Sequence, residues 1–179
     1  AISGAMQGDK DLTAYLQKAL GYALTGYTGE ECLFLLYGPT TRNGKSTILE
    51  TFMALMGGYG KAAGAETFSL RQRWDSAAPS EDLAKLAGAR VVNVAEPDKG
   101  MSLNAARVKA LTGGDTVTAR FLHENSFEYK PQFKLFINTN YLPRVNDPTV
   151  FRSGRVKVLP FNRHFSEGEQ DKTLKKRLL

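Results

Sequence analysis

The sequence predicts an α/β fold with a mostly parallel central sheet flanked by helices, and three observations carry that prediction. An apolar run, Phe34-Leu35-Leu36-Tyr37, feeds a Gly-bounded loop that ends in Gly44-Lys45-Ser46-Thr47 and then gives way to helical spacing. Two further runs are mostly apolar: Ala89 to Ala95, β-branched as expected of an interior strand covered on both faces, and Phe133 to Ile137, another strand. Segments of helical period separate these runs, as βα units require.

From Asp11 to Thr25, Leu12, Tyr15, Leu16, Leu20 and Ala23 recur at helical spacing and predict a helix that packs on the sheet. The strand from Cys32 to Tyr37 follows. Ile48, Leu49, Phe52, Met53 and Met56 then mark a helix that Gly57-Gly58 stops. Phe68 to Trp74 predicts a short helix. Ser80 looks like an N-cap ahead of the acidic Glu81 and Asp82, opening a helix through Leu86. The Ala89 to Ala95 strand delivers Glu96 to its C-terminal end, the edge at which open α/β sheets bind ligands. Leu103 to Leu111 is a further helix. Thr116 to Leu122 and Phe127 to Phe133 flank a polar turn and predict a β-hairpin insertion. Phe133 to Ile137 leads to Asn138-Thr139-Asn140, and Arg155 to Leu159 is the last strand.

At 179 residues and 42% hydrophobic composition, residues 7–179 form one domain with one sizeable core. Residues 1–6, small and featureless, are expected to be a cloning remnant outside the fold. The last residues, Lys172 to Leu179, have helical character without a stop signal, so the chain is expected to be a fragment of a longer protein. The formal charge of +6 favours an acidic partner such as nucleic acid, although solubility alone also accounts for it. The single Cys32 lies in an apolar run and offers no disulfide framework. With no apolar stretch of membrane-spanning length, a cytoplasmic location is expected.

Triphosphate recognition needs backbone N–H groups around anionic oxygens, a lysine at the β- and γ-phosphates and a hydroxyl on Mg²⁺. Gly38, Pro39, Thr40, Thr41, Arg42, Asn43, Gly44, Lys45, Ser46 and Thr47 supply these parts. Lys45 is the phosphate lysine and Ser46 the magnesium hydroxyl. The loop is one residue longer than the usual spacing. Glu96 is the candidate acid for the Mg²⁺ shell and the attacking water, with Asp98 as a weaker candidate. Asn140, just past an apolar strand, is placed to sense the γ-phosphate by hydrogen bonding, and Asn138 lies on the same strand face. Arg152 and Arg155 follow a polar loop and are candidates for a guanidinium offered to a neighbouring subunit. Arg120, His123, Lys130 and Lys134 surround the hairpin, where they and the aromatic Phe121 and Tyr129 are expected to meet single-stranded DNA.

Four motifs in order resemble the ATPase domain of superfamily 3 helicases, in the phage and plasmid primase-helicase branch related to poxvirus primase-helicases. They are Leu36-Tyr-Gly-Pro-Thr-Thr-Arg-Asn-Gly-Lys-Ser-Thr47, Val91-Val-Asn-Val-Ala-Glu-Pro97, Lys109-Ala-Leu-Thr-Gly-Gly-Asp-Thr-Val-Thr-Ala-Arg120 and Lys134-Leu-Phe-Ile-Asn-Thr-Asn-Tyr-Leu-Pro143. The resemblance implies an AAA+-like core of P-loop NTPase type that uses ATP and Mg²⁺. It also implies assembly as a ring, usually hexameric, and 3′ to 5′ translocation on single-stranded DNA. Lys45 and Ser46 match the Walker A positions, Glu96 the Walker B acid, Asn140 sensor 1 and Arg155 the trans-acting arginine. The hairpin tip reads His123-Glu124-Asn125, where many members of the family are basic. A primase module and a C-terminal winged-helix region would belong to the full-length replication protein. Two other readings remain open on the residues alone, a small P-loop kinase and an ATP-gated DNA-binding or assembly module that does not unwind.

Overall fold

The structure, a computed structural model, describes residues 2–70, 80–95, 97 and 99–179. In chain order its strands and α-helices are α1 (Ile2–Ala5), α2 (Lys10–Leu24), β1 (Leu33–Tyr37), α3 (Lys45–Met56), β2 (Gly60–Ala63), α4 (Glu81–Ala84), β3 (Val91–Val94) and β4 (Ser102–Leu103). They continue with α5 (Ala105–Thr112), β5 (Val117–Ala119), β6 (Phe127–Tyr129), β7 (Lys134–Thr139), β8 (Arg144–Val145), α6 (Thr149–Arg152), β9 (Val156–Pro160) and α7 (Leu174–Leu178).

Five strands form the central sheet in the order β2-β3-β7-β1-β9, and every pairing in it is parallel. The strand that feeds the Gly-Lys-Ser loop therefore runs between β7 and β9. All five C-terminal ends share one edge, which brings the loop after β1 beside the end of β7. This is a P-loop NTPase-like core, as the sequence predicts.

Alternation along β1 divides the apolar interior between the two faces of the sheet. Leu33 and Leu35 join Val92, Val94, Leu135 and Ile137 beneath α4, α5 and the hairpin. Phe34 and Leu36 join Val91, Phe136 and Leu159 beneath α2 and α3. Each fully buried Leu or Phe contributes about 1.5–3 kcal/mol of transfer free energy, so neither face is dispensable. The rings of Phe34 and Phe136 stack across the β1–β7 pair with centroids 4.9 Å apart.

Local chemistry sets the helix starts. Asp9 caps α2 by accepting from Leu12 N at 2.9 Å, and Asn104 caps α5 by accepting from Arg107 N at 3.1 Å. Leu103, predicted as the start of that helix, instead lies in β4, which pairs in parallel with β8. Ser80 precedes α4 but makes no side-chain cap; its Oγ accepts from Arg120 N at 3.1 Å and fastens the hairpin. The predicted Phe68 to Trp74 helix is a 3-10 turn over Ala65–Phe68, and residues 71–74 lie outside the described residues.

The expectation that residues 1–6 stand outside the fold does not hold for residues 2–6. Ile2–Ala5 is a helical turn, and Ala5 and Met6 are buried in the core under α2 and α3. No helix among the described residues is long and apolar enough to cross a membrane.

Candidate nucleotide-binding site

The loop after β1 is built around close approaches that only its own residues permit. A Cβ at Gly38 would lie 2.3 Å from Asn43 Nδ2, 2.7 Å from the Phe161 carbonyl and 3.0 Å from Lys45 Nζ. Gly44 holds the helix N-terminus in the left-handed region at φ 88°. Asn43 is buried and its Nδ2 donates to the Thr40 carbonyl at 2.6 Å, folding the extra residue of this long loop back on itself. Arg42 also takes a positive φ, 56°, and its carbonyl accepts from Phe165 N at 2.9 Å.

Lys45 opens α3 and is only 5% exposed. Its Nζ donates to Asn140 Oδ1 at 2.9 Å and to the Gly38 carbonyl at 3.3 Å. Two of the groups that hold the lysine at the mouth of the loop are therefore neutral acceptors. Asn138 Nδ2 donates to Ser46 Oγ at 3.1 Å. Both asparagines at the end of β7 therefore touch the loop. The sequence singled out Asn140 as the sensor and set Asn138 aside as its near neighbour; the two divide the work between Lys45 and Ser46. Between them Thr139 is fully buried, and its carbonyl accepts from Gly38 N at 3.2 Å, so β7 and the loop are joined through the backbone as well.

A cavity of about 290 Å³ lies beside the loop, lined by Ala5, Gly44, Thr47, Ile48, Phe165 and Leu174 among others. Arg42, Glu169, Asp171 and Lys172 also line it, so its apolar wall is flanked by charges of both signs. β3 ends at the same edge of the sheet, but Glu96 and Asp98 lie outside the described residues.

Arg155 does not fit the role of an arginine presented to a neighbour. It precedes β9 at the edge of the sheet away from the loop, where Leu33 N donates to its carbonyl at 2.8 Å. Its guanidinium donates to Glu31 Oε2 at 2.9 Å, to the Glu31 carbonyl at 3.1 Å and to Thr112 Oγ1 at 2.7 Å. A side chain committed to three internal acceptors is not offered outward. Arg152, at the end of α6, is exposed.

Lys134 is likewise removed from the DNA-contact set. It is 1% exposed, and its Nζ donates to the carbonyls of Thr25, Tyr27 (3.2 Å) and Gln132 (3.1 Å) while lying 5.0 Å from the Tyr22 ring centroid. Burial above all, with Arg90 nearby, lowers its pKa to about 8. It closes the N-terminal end of β7. Phe121 and Tyr129 are not free for base stacking either. Phe127 stacks on both at centroid distances of 6.1 and 6.0 Å, and all three pack on the core. Tyr129 donates to the Leu83 carbonyl at 2.7 Å, and its phenol is pushed up to about 12, chiefly by burial. His123, at φ 63° on the hairpin turn, and Lys130 are exposed, and Arg120 is half-buried.

The family model described as "Family of unknown function (DUF5906)" matches residues 36–153, a span that runs from the end of β1 through α6. The chain belongs to this family. The DUF5906 span contains all four motifs in full. A protein named "Putative helicase" of Acanthamoeba polyphaga mimivirus is 33% identical over 96% of the chain, and one so named in Frog virus 3 (isolate Goorha) is 30% identical over 73%. The chain spans 18% and 14% of those two proteins. In structure the DUF5906 chain resembles the NrS-1 C-terminal region with a TM-score of 0.70 at 13% identity, covering 99% of this chain and 41% of that one. These relations accord with the primase-helicase resemblance carried by the four motifs.

Proposed function

We propose that this chain is the ATP-hydrolysing motor domain of a helicase-type replication protein of a phage or mobile element, acting on single-stranded DNA as a ring. The observation that carries the reading is Lys45 Nζ poised between Gly38 O and Asn140 Oδ1 at the C-terminal edge of a parallel sheet. The helicase names of the viral relatives support it.

In this reading the loop N–H groups from Thr40 to Lys45 and the positive end of α3 bind the phosphates, with Lys45 on the β- and γ-oxygens. The donor set suits the group, because Lys45 Nζ and the exposed Ser46 Oγ lie together where the loop opens α3. Ser46, exposed and oriented by Asn138, and Glu96 would hold Mg²⁺, which supplies charge neutralisation on the phosphates. Glu96 takes the proton-directing role toward the attacking water. Asn140, released from Lys45 when phosphate displaces it, turns its amide to the γ-phosphate or the water. Arg152, exposed at the end of α6, takes the place in a neighbour's site that the sequence assigned to Arg155. His123, Lys130 and Arg120 remain the hairpin's candidates for the DNA backbone. A primase module, a winged-helix region and a hexameric ring belong to the whole protein in this reading.

The test is ATP turnover by the purified chain with and without single-stranded DNA, over a range of protein concentrations, beside Lys45→Ala, Glu96→Gln and Arg152→Ala. Turnover stimulated by DNA, rising faster than linearly with protein and lost in all three variants, is the expected result. Turnover indifferent to DNA and to Arg152→Ala would reject the ring motor.

A further inference from the structure

Two stretches of chain, residues 102–112 and residues 144–155, run side by side and are joined at every turn. The first comprises β4 and α5 and leads directly into the β5–β6 hairpin; the second follows Asn140 and carries α6. Ser102 and Leu103 pair with Arg144 and Val145. One step on, Ala105 N donates to Asn146 Oδ1 at 3.0 Å. A turn later, Lys109 Nζ meets Asp147 Oδ2 at 2.6 Å and Thr149 Oγ1 at 3.2 Å. At the end of α5, Thr112 Oγ1 accepts from Arg155 at 2.7 Å.

Asp147 is the joint in this series. Its Oδ1 accepts from Thr149 N at 2.9 Å, at the start of α6, while Oδ2 holds Lys109 on α5. The ion pair is one-third to one-half exposed, with side-chain exposures of 44% and 34%, so its yield in stability is small. What it fixes is geometry: one carboxylate ties two helices, one leading to the hairpin and the other bearing the exposed Arg152. Arg155 adds the second pin, tying the end of α5 to Glu31 at the approach to β1.

We propose that Asp147 and Arg155 are positioning residues that lock helix α5 and the β5–β6 hairpin to the segment following Asn140, so that a change at the Lys45–Asn140 contact is passed to the hairpin. The inference rests on the nucleotide reading above. Phosphate in the loop would compete with Asn140 for Lys45 Nζ, and the segment downstream of Asn140 has side-chain anchors on α5. Two arrangements of that segment would then give two placements of the hairpin.

The experiment uses the unmodified chain, Asp147→Asn, Arg155→Lys, and the charge exchange that combines Lys109→Asp with Asp147→Lys. Amide hydrogen exchange across residues 105–129 is followed with and without a slowly hydrolysed ATP analogue and Mg²⁺, with nucleotide affinity measured in parallel and far-UV melting as the check on folding. Nucleotide should alter exchange across residues 105–129 in the unmodified chain. Asp147→Asn should bind nucleotide with unchanged affinity yet lose that response, the charge exchange should regain it, and Arg155→Lys should weaken it at the α5 end. DNA stimulation of turnover should fall about fivefold or more in Asp147→Asn, within the range that coupled sites span. An Asp147→Asn chain that keeps the exchange response, or an unmodified chain that binds nucleotide without one, would overturn the proposal and leave the nucleotide site standing. A chain that binds no nucleotide at all would remove both.

Discussion

Lys45 is a buried cation whose contacts include the Gly38 carbonyl and Asn140 Oδ1, and this placement makes its replacement informative. Lys45→Ala should reduce ATP turnover by about 100-fold or more while leaving the melting temperature near that of the unmodified chain, because the lost group acts on transferred charge and not on the core. Turnover and thermal melting measured together decide it. Gly38→Ala is expected to do the opposite mixture of damage: the added carbon meets Asn43 Nδ2 and the Phe161 carbonyl, costs about 1–3 kcal/mol, and closes the phosphate cradle. Melting with and without nucleotide should show both losses. Lys134 makes a prediction in pH. Its folded pKa, about 8, lies below its ordinary value of 10.5, so between those values the unfolded chain binds the extra proton and stability rises with pH. Relative to Lys134→Met, the unmodified chain should therefore gain stability as pH climbs from about 8 to about 10.5, read by urea unfolding of both at each pH. Legible at this scale was the meeting of the loop residues Lys45 and Ser46 with the asparagines at the end of β7. Lys134 and Arg155 were misread because a cation looks the same in sequence whether it faces water or internal acceptors, three carbonyls for Lys134 and a carboxylate, a carbonyl and a hydroxyl for Arg155.

The elements show the same division. α2, β1, α3, β3, α5, β7 and β9 lie close to where hydrophobic period and caps place them, because each buries a wide apolar face. β2, Gly60-Lys-Ala-Ala63, carries no such signal: it is an edge strand with no buried residue, held by its backbone ladder to β3. β4, β8 and α6 are too short for a period to register. The hairpin was visible as two β-prone runs around a polar turn, but its aromatic ladder turns inward to the core. Tyr129→Phe should remove the hydrogen bond to Leu83 O, destabilise by about 1 kcal/mol and speed exchange of the hairpin amides without changing nucleotide affinity.

For the whole molecule, the net charge of +6 and the exposed His123, Lys130 and Arg152 bear on association. Binding of single-stranded DNA should weaken steeply with salt, log K falling with log salt at about 0.7 per phosphate neutralised. Replacing Lys130 should lower that slope, whereas replacing buried Lys134 should change stability and leave the slope alone. A fluorescence titration at several salt concentrations separates the two lysines. Arg152→Ala and Arg155→Ala divide similarly. The first should suppress turnover in proportion to assembly at unchanged melting temperature, and the second should lower the melting temperature at every protein concentration.

The sequence by itself determined the order of the longer strands and helices along the chain, the Gly-Lys-Ser loop after β1, the asparagines at the end of β7 and the presence of a hairpin. These follow from local rules: period, caps, turn chemistry and the residue types that phosphate demands. Only the tertiary structure decided which cations are spent internally, that Ala5 and Met6 belong to the core, and that residues 144–155 lie along α5. Each of those facts depends on a contact between residues far apart in the chain, and no local pattern encodes which distant oxygen a lysine or an arginine will meet.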